Sequence, residues 1–207
     1  LARFLGKKLG CPQCHHWRDN TVPNWISPLL KKPKNSQIIA ISNTVHKTIK
    51  NAFPQTKTPI HIVYNGADLT QFSPKDQTTL KRSLGIPKDH LLLGFFAALR
   101  PWKGLHLLLE ALKESLPIPL SLLVVGDWAD DDYKKKLRPI IETAPLNKHI
   151  YMMGFQDNPA PYMQAVDGIL MASTSNEAFG RVIAEGFACE KAVIGHDCGA
   201  IPELVTH

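Results

Sequence analysis

Two glutamates eight positions apart, Glu177 and Glu185, bracket the run Ala178-Phe179-Gly180-Arg181-Val182. Their spacing predicts a helix over residues 178–189, with one carboxylate just before it and Phe179-Gly180 in its first turn. Backbone N–H groups at a helix start are unpaired and sit at the positive end of the dipole, so they attract an anion. Gly180 has no side chain to block a phosphate. Eight helical residues rise about 12 Å. The two carboxylates would then serve opposite ends of one elongated anionic ligand, with sugar, diphosphate and ribose in a row. The plainer reading is a helix start whose first turn favours acids. The other junctions of the chain decide between the two.

Those junctions belong to a repeating unit. Residues 91–98 form a continuous apolar run, as expected of a parallel strand buried on both faces. Leu105, Leu108, Leu109 and Leu112 then recur with helical spacing. Further strands are expected at 120–125, 149–153, 169–172 and 192–194, with helices at 132–143, around 161–165 and at 178–189. This alternation predicts an α/β fold with a doubly wound parallel sheet, whose ligands bind at the strands' carboxyl ends. Upstream, the pattern predicts a helix over 1–9 and a loop around Pro12 and Pro23. A strand at 37–41 follows, then a helix capped by Ser42 or Asn43 and ending before Pro54. A short strand at 60–64 runs into the turn signal Asn65-Gly66.

Each junction of the second zone carries a polar or glycine-bearing motif. The first is Arg100-Pro101-Trp102-Lys103-Gly104, whose cations can hold a phosphate as fork and point charge. Trp102 itself is expected to pack on the sheet edge rather than to stack on a ligand. The second is Val125-Gly126-Asp127, where a backbone can approach a ligand closely. Gly154-Phe155 forms the third, the Glu177 to Glu185 segment the fourth, and Gly199-Ala200-Ile201-Pro202-Glu203 the fifth. Neither G-x-G-x-x-G nor G-x-x-x-x-G-K-[ST] is present, which argues against a dinucleotide site or a P-loop.

Taken in order, N-G-x-D (65–68), W-K-G (102–104), V-G-D, G-F, E-A-F-G-x4-E and G-A-I-P-E resemble the retaining glycosyltransferases of family 4, across about residues 37–205. The resemblance implies a GT-B fold. Residues 1–62 would be a remnant of an acceptor domain with its linker, and 63–207 a Rossmann-like domain that binds a nucleotide diphosphate sugar. It further implies Glu177 beside the transferred sugar, Glu185 on the ribose hydroxyls and Lys103 on the diphosphate. Phe179, Gly180, Arg181 and Val182 would line the donor, Phe179 to Arg181 through backbone N–H groups, and Arg100, Gly126, Asp127, Gly154 and Phe155 would complete the site. No cofactor and no metal are implied; the acceptor is an unspecified glycan, lipid or small molecule. An epimerase-like or non-catalytic module that only binds nucleotide sugars is the alternative.

Three departures stand out. The family's G-R-L-x-x-x-K-G would put its phosphate-binding arginine at Ala98, with Arg100 the nearest substitute. Its double glycine is Gly199-Ala200 here. The part that would carry an acceptor-side glycine loop and a catalytic histidine is largely missing, and none of His15, His16, His46 or His61 sits in a matching motif. The chain opens on Leu1 and stops at His207 after the fifth motif, which reads as a piece of a longer protein. Such a piece is expected to bind donor without transferring sugar.

Composition restricts the alternatives. The 207 residues are 44% hydrophobic and 20% charged, as in ordinary globular proteins. The longest apolar run, from Leu91 to Leu99, is far below the roughly 18 residues of a membrane span. Within 1–50, nine Lys and Arg face one acid, Asp19. With no nucleic-acid motif beside it, that segment reads as a solvated face or as a peripheral contact with an anionic membrane, and the protein as cytoplasmic. Cys11-Pro12-Gln13-Cys14-His15 matches a haem-attachment pattern and offers zinc ligands, but no second ligand pair follows. Asp130-Asp131-Asp132 imitates a D-x-D metal motif, yet at a helix start such acids need no ion.

Overall fold

The computed structural model describes residues 11–22 and 36–206. The helix expected over 1–9 lies outside the described residues. Two compact units emerge. Of the described residues, the first comprises those up to Asn65 together with Asn176–Gly180 and Gly199–Glu203; the second comprises Gly66–Ser175, Arg181–Cys198 and those from Leu204 onward.

The first unit holds a parallel three-stranded sheet, β1 (Gln13–Trp17), β2 (Ser36–Ala40) and β3 (Ile60–Ile62), in that order. Helix α1 (Asn43–Ala52) follows β2. Ser42 is its N-cap, with extended backbone and a hydroxyl that accepts from the Val45 N–H at 3.0 Å. Val45 and Ile49, one helical turn apart, are its fully buried contacts. Strand β1 corrects the loop expected there. Its Cys-His-His run has no apolar alternation, and pairing with β2 across the whole strand makes it extended.

The second unit holds a five-stranded parallel sheet of β4 (Leu91–Phe96), β5 (Leu120–Val125), β6 (Ile150–Gly154), β7 (Gly168–Met171) and β8 (Ala192–Gly195). Its spatial order is β6-β5-β4-β7-β8, so the chain leaves the central strand first one way and then the other. Helices α3 (Leu105–Ser115), α4 (Asp131–Glu142), α5 (Ala160–Ala165) and α6 (Arg181–Ala188) alternate with the strands. The sequence did not mark α2 (Thr78–Ser83), too short for a clear period, nor the final turn α7 (Ile201–Leu204).

Alternating strand residues feed two cores. Phe95, Leu122 and Val124 pack with Leu105, Leu109, Tyr133 and Leu137 of α3 and α4. Leu92, Phe96, Leu123 and Val125 pack with Met163, Val166 and Ile169. A sheet covered on both faces needs this continuously apolar kind of strand. Asp130 caps α4 by accepting from the Tyr133 N–H at 2.8 Å, and Asp131 and Asp132 occupy the first turn.

One expectation fails in an instructive way. The helix expected over 178–189 begins at Arg181, because Gly180 has φ of 90°, a left-handed conformation that no helix residue adopts. Phe179 and Gly180 therefore precede the helix. The 12 Å separation inferred from eight helical residues does not apply, since only the last part of that interval is helical.

Candidate functional site

A cavity of about 620 Å³ opens at the carboxyl edge of the second unit's sheet. This is within the usual range for small-molecule sites, roughly 300–1,000 Å³. The ends of three strands supply its walls: Phe96 of β4 with Ala97 and Ala98 beyond it, Val125 of β5 with Gly126 to Ala129 beyond it, and Phe155, Gln156 and Asp157 after β6. Met163 of α5 and Arg181, Val182 and Glu185 of α6 close another side, with Gln71 and Phe72. The turn that brings Phe72 there is built by Asp68. Its carbonyl accepts from the N–H groups of Gln71 and Phe72, and its carboxylate accepts from the Thr70 N–H and hydroxyl. Those Thr70 bonds hold the Asp68 carboxyl below its ordinary value.

Two glycines let the walls close. Gly126 has φ of 142°, and a Cβ there would stand 1.8 Å from the Ala97 carbonyl oxygen. Gly104 has φ of 81°, and its Cβ would stand 1.9 Å from the Ala172 carbonyl oxygen. Only glycine allows β4's following loop to lie this close to its neighbours. The turn Pro101–Lys103 ahead of Gly104 is fixed further by Thr174, whose N–H and hydroxyl both donate to the Trp102 carbonyl at 2.8 and 3.3 Å. Lys103 Nζ rests 4.2 Å from the centroid of the Trp102 ring, a cation–π distance. Trp102 is 36% exposed and so covers this edge only in part.

The expected site residues fall into three groups. Gly126, Asp127, Phe155, Arg181, Val182 and Glu185 line the cavity together. Arg100, Lys103 and Gly154 belong to the same edge but lie outside that lining. Arg100 is exposed and precedes the Pro101–Lys103 turn, while the Gly154 carbonyl accepts from the Gly126 N–H at 2.8 Å. Glu177, Phe179 and Gly180 cluster with the first unit.

Inside the cavity, Arg181 Nη2 donates to Glu185 Oε1 at 2.8 Å across one helical turn. The guanidinium side chain is 64% exposed and the carboxylate side chain 9%. A carboxylate this buried needs a partner, and Arg181 provides one.

In the first unit the backbone around Glu177 is held at three successive carbonyls. The Asn176 oxygen accepts from Asn20 Nδ2 at 2.7 Å, that of Glu177 from the Ala200 N–H at 2.9 Å, and that of Ala178 from the Ser42 hydroxyl at 2.7 Å. Gly199 has φ of 58°, and a Cβ on it would meet the Glu177 nitrogen at 2.3 Å. Phe179 is buried, its ring 5.9 Å from that of Tyr64.

Glu203 joins this assembly. Its carboxylate accepts from the N–H groups of Asn43 and Thr44, both at 2.7 Å, from the Thr44 hydroxyl at 2.9 Å and from the Tyr64 hydroxyl at 3.1 Å. Burial alone would raise its pKa; these hydrogen bonds outweigh burial and hold it below the ordinary value of 4.5. Burial, and then the Glu203 carboxylate, push the Tyr64 hydroxyl upward. Sequence reading marked Glu203 only as the last letter of a motif. Its partners are 139 to 160 residues away, beyond any local signal. Gln156 and Asp157 carry one usable signal in sequence, their place directly beyond an apolar strand.

Among the described residues, no three His, Cys, Asp or Glu side chains stand together as a metal site, and Cys11 and Cys14 are exposed and not joined in a disulfide. No helix among them is long and apolar enough to cross a membrane.

The family model described as glycosyl transferases group 1 matches residues 76–207. The chain belongs to that family. As a group 1 glycosyltransferase domain it is similar to the N-acetyl-alpha-D-glucosaminyl L-malate synthase of Bacillus anthracis, 27% identical over 169 residues, 81% of this chain and 42% of that protein. It is similar too to the D-inositol 3-phosphate glycosyltransferase of Rhodococcus erythropolis, 26% identical over 176 residues, 81% of this chain and 40% of the relative. The chain thus spans less than half the length of these curated relatives. The crystal structure of Anabaena Alr3699/HepE in complex with UDP superimposes with a TM-score of 0.89 at 28% identity, covering 100% of this chain and 59% of that one. At 14% identity and a TM-score of 0.75, the glycosyltransferase WaaG shares the fold. The α/β architecture with parallel sheets is that of GT-B glycosyltransferases.

Proposed function

We propose that this group 1 domain belongs to family 4 and binds a nucleotide diphosphate sugar, whose sugar the whole protein transfers to a glycan, lipid or small-molecule acceptor with retention of configuration. Residues 63–207 would form the donor domain and 1–62 part of an acceptor domain with its linker. The observation that carries the reading is the cavity at the carboxyl edge of the second sheet. It joins a glycine-walled approach at Gly126 to a buried carboxylate, Glu185, suited to a pair of ribose hydroxyls. The HepE structures with UDP and with UDP-glucose support a donor of that class.

Each residue then has a chemical task. Glu185 accepts from the ribose. Gly126, Asp127, Gly154, Phe155 and Val182 shape the nucleoside end, and Arg100 and Lys103 bring positive charge to the diphosphate edge. As the glycosidic bond breaks, negative charge grows on the leaving diphosphate and positive charge on the sugar ring. Fixed cations and backbone N–H groups of Phe179, Gly180 and Arg181 stabilise the first without a metal ion; Glu177 stabilises the second. The three hydrogen bonds to carbonyls 176 to 178 support a fixed position for Glu177, which preorganised stabilisation requires.

Calorimetric titration with UDP-, GDP- and ADP-sugars tests donor binding, and the anomeric configuration of the product of the full-length protein tests retention. Absence of binding to all three sugars would sink the reading. Ala98 in the cavity wall, where a cation would suit a donor diphosphate, favours a second reading: an epimerase-like or purely binding module. Binding without turnover by the full-length protein would select it. The basic segment 1–50 suits peripheral contact with the inner face of a membrane, which cosedimentation with anionic vesicles would detect.

A further inference from the structure

The cavity's charge is at odds with an anionic ligand. Its described lining carries three carboxylates, Asp127, Asp157 and Glu185, and one cation, Arg181. Within that lining, the Arg181 guanidinium alone can offset the repulsion between a diphosphate and the three carboxylates. Two features let it do so. Arg181 spends one Nη2 contact on Glu185 and has a planar fork of five N–H donors, so most of its hydrogen-bonding capacity is uncommitted by that pair. The pair is also lopsided, with the carboxylate 9% exposed and the guanidinium 64% exposed. The acid is the enclosed member, and the guanidinium is the one open to a ligand.

We propose that the Arg181 side chain, beyond its backbone N–H, is the cation within the cavity lining that receives the donor diphosphate, in addition to Arg100 and Lys103 at the edge, and that Glu185 holds it in place for that purpose. This rests on the donor-binding reading given above. Arg181 offers a phosphate a bidentate contact from one edge of the fork while the other stays on Glu185. Glu185 then serves twice, toward the ribose and toward the guanidinium. The wall position Ala98 is exposed and small, so the cavity can also accept a long cationic side chain from that side.

The test is calorimetry on this chain with UDP, GDP and ADP, each paired with its nucleoside. Wild type is expected to bind one diphosphate much more tightly than the matching nucleoside. Arg181→Gln should weaken the diphosphate about 10–100-fold, the scale of a lost charge-assisted pair, while the nucleoside changes less than about threefold. Arg181→Lys should recover part of the loss, as a point charge without the fork. Adding Ala98→Arg to Arg181→Gln should restore the diphosphate preference at least in part. Equal weakening of nucleoside and diphosphate would mean that Arg181 acts only by packing and would overturn the inference, as would an unchanged preference in Arg181→Gln. Those results leave the donor-binding reading standing, because wild type still binds. If wild type binds none of the three diphosphates, both ideas fall together.

Discussion

Glu185 is a buried carboxylate on a helix, whereas Glu177 is a partly exposed one on a loop pinned by its backbone. The two should therefore fail differently. If Glu185 holds the ribose as proposed, that contact forms equally in ground and transition states, so Glu185→Ala should mainly raise KM. In the proposed sugar-side role of Glu177, Glu177→Gln removes a charge that matters as the sugar becomes cationic, so it should lower kcat more than it weakens binding. Steady-state kinetics on the full-length protein separate the two, and an unchanged kcat in Glu177→Gln would strike out the sugar-side role. The junction motifs, and hence both acids, are legible in sequence because each stands directly beyond an apolar strand. The hydrogen bonds that fix Glu177 are not legible, since Asn20, Ser42 and Ala200 lie far from it in sequence or carry no distinctive chemistry.

The elements show the same division. Strands β4 to β8 are readable from their apolar runs, because a strand covered on both faces has few polar positions to confuse the pattern. Strand β1 is not, since an edge strand rich in cysteine and histidine takes its conformation from β2. The start of α6 was displaced by Gly180, whose positive φ no propensity scale reports. Backbone geometry of this kind yields sharp expectations. Gly126→Ala would set a Cβ 1.8 Å from the Ala97 oxygen at a φ of 142°, and should cost about 2–4 kcal/mol in stability, read from the urea midpoint. The clasp of Glu203 on the start of α1 should appear in the acid limb of stability. Its folded pKa is depressed, so its contribution is present above the unfolded value near 4.5 and fades as pH falls through the lower folded value. The difference in melting temperature between wild type and Glu203→Gln should accordingly shrink in that window, and a pH-independent difference would count against the clasp.

For the molecule as a whole, the order β6-β5-β4-β7-β8 brings loops from residues 97 to 185 to one edge without any long-range sequence signal beyond alternation itself. That alternation made the fold class legible; it could not reveal that Asn176–Gly180 and Gly199–Glu203 cluster with the first unit rather than the second. Less than half the length of the curated relatives is present in this chain. Residues 1–207 are therefore expected to bind a nucleotide sugar yet transfer nothing to added acceptors, with slow hydrolysis as the most they achieve. A radiolabelled-donor assay checks this, and transfer to any acceptor would refute it.

A parallel sheet with this cavity at one edge also leaves an opposite edge, at the strands' amino ends, that contributes nothing to the cavity's lining. There the His90 and His149 rings stack 5.4 Å apart, Asp167 bridges Lys81 and the Leu92 N–H, and the turn from Leu116 to Leu120 exposes Ile118. Lengthening the loop between Leu116 and Leu120 touches no residue that lines the 620 Å³ cavity, whereas the stretch between Phe96 and Gly104 carries both Ala98 and Lys103. The fold thus offers evolution, and the protein engineer, a rear surface that can be rebuilt independently. A short polar insertion between Pro117 and Ile118 should leave nucleotide affinity within about twofold, since exposed loop tips tolerate such changes.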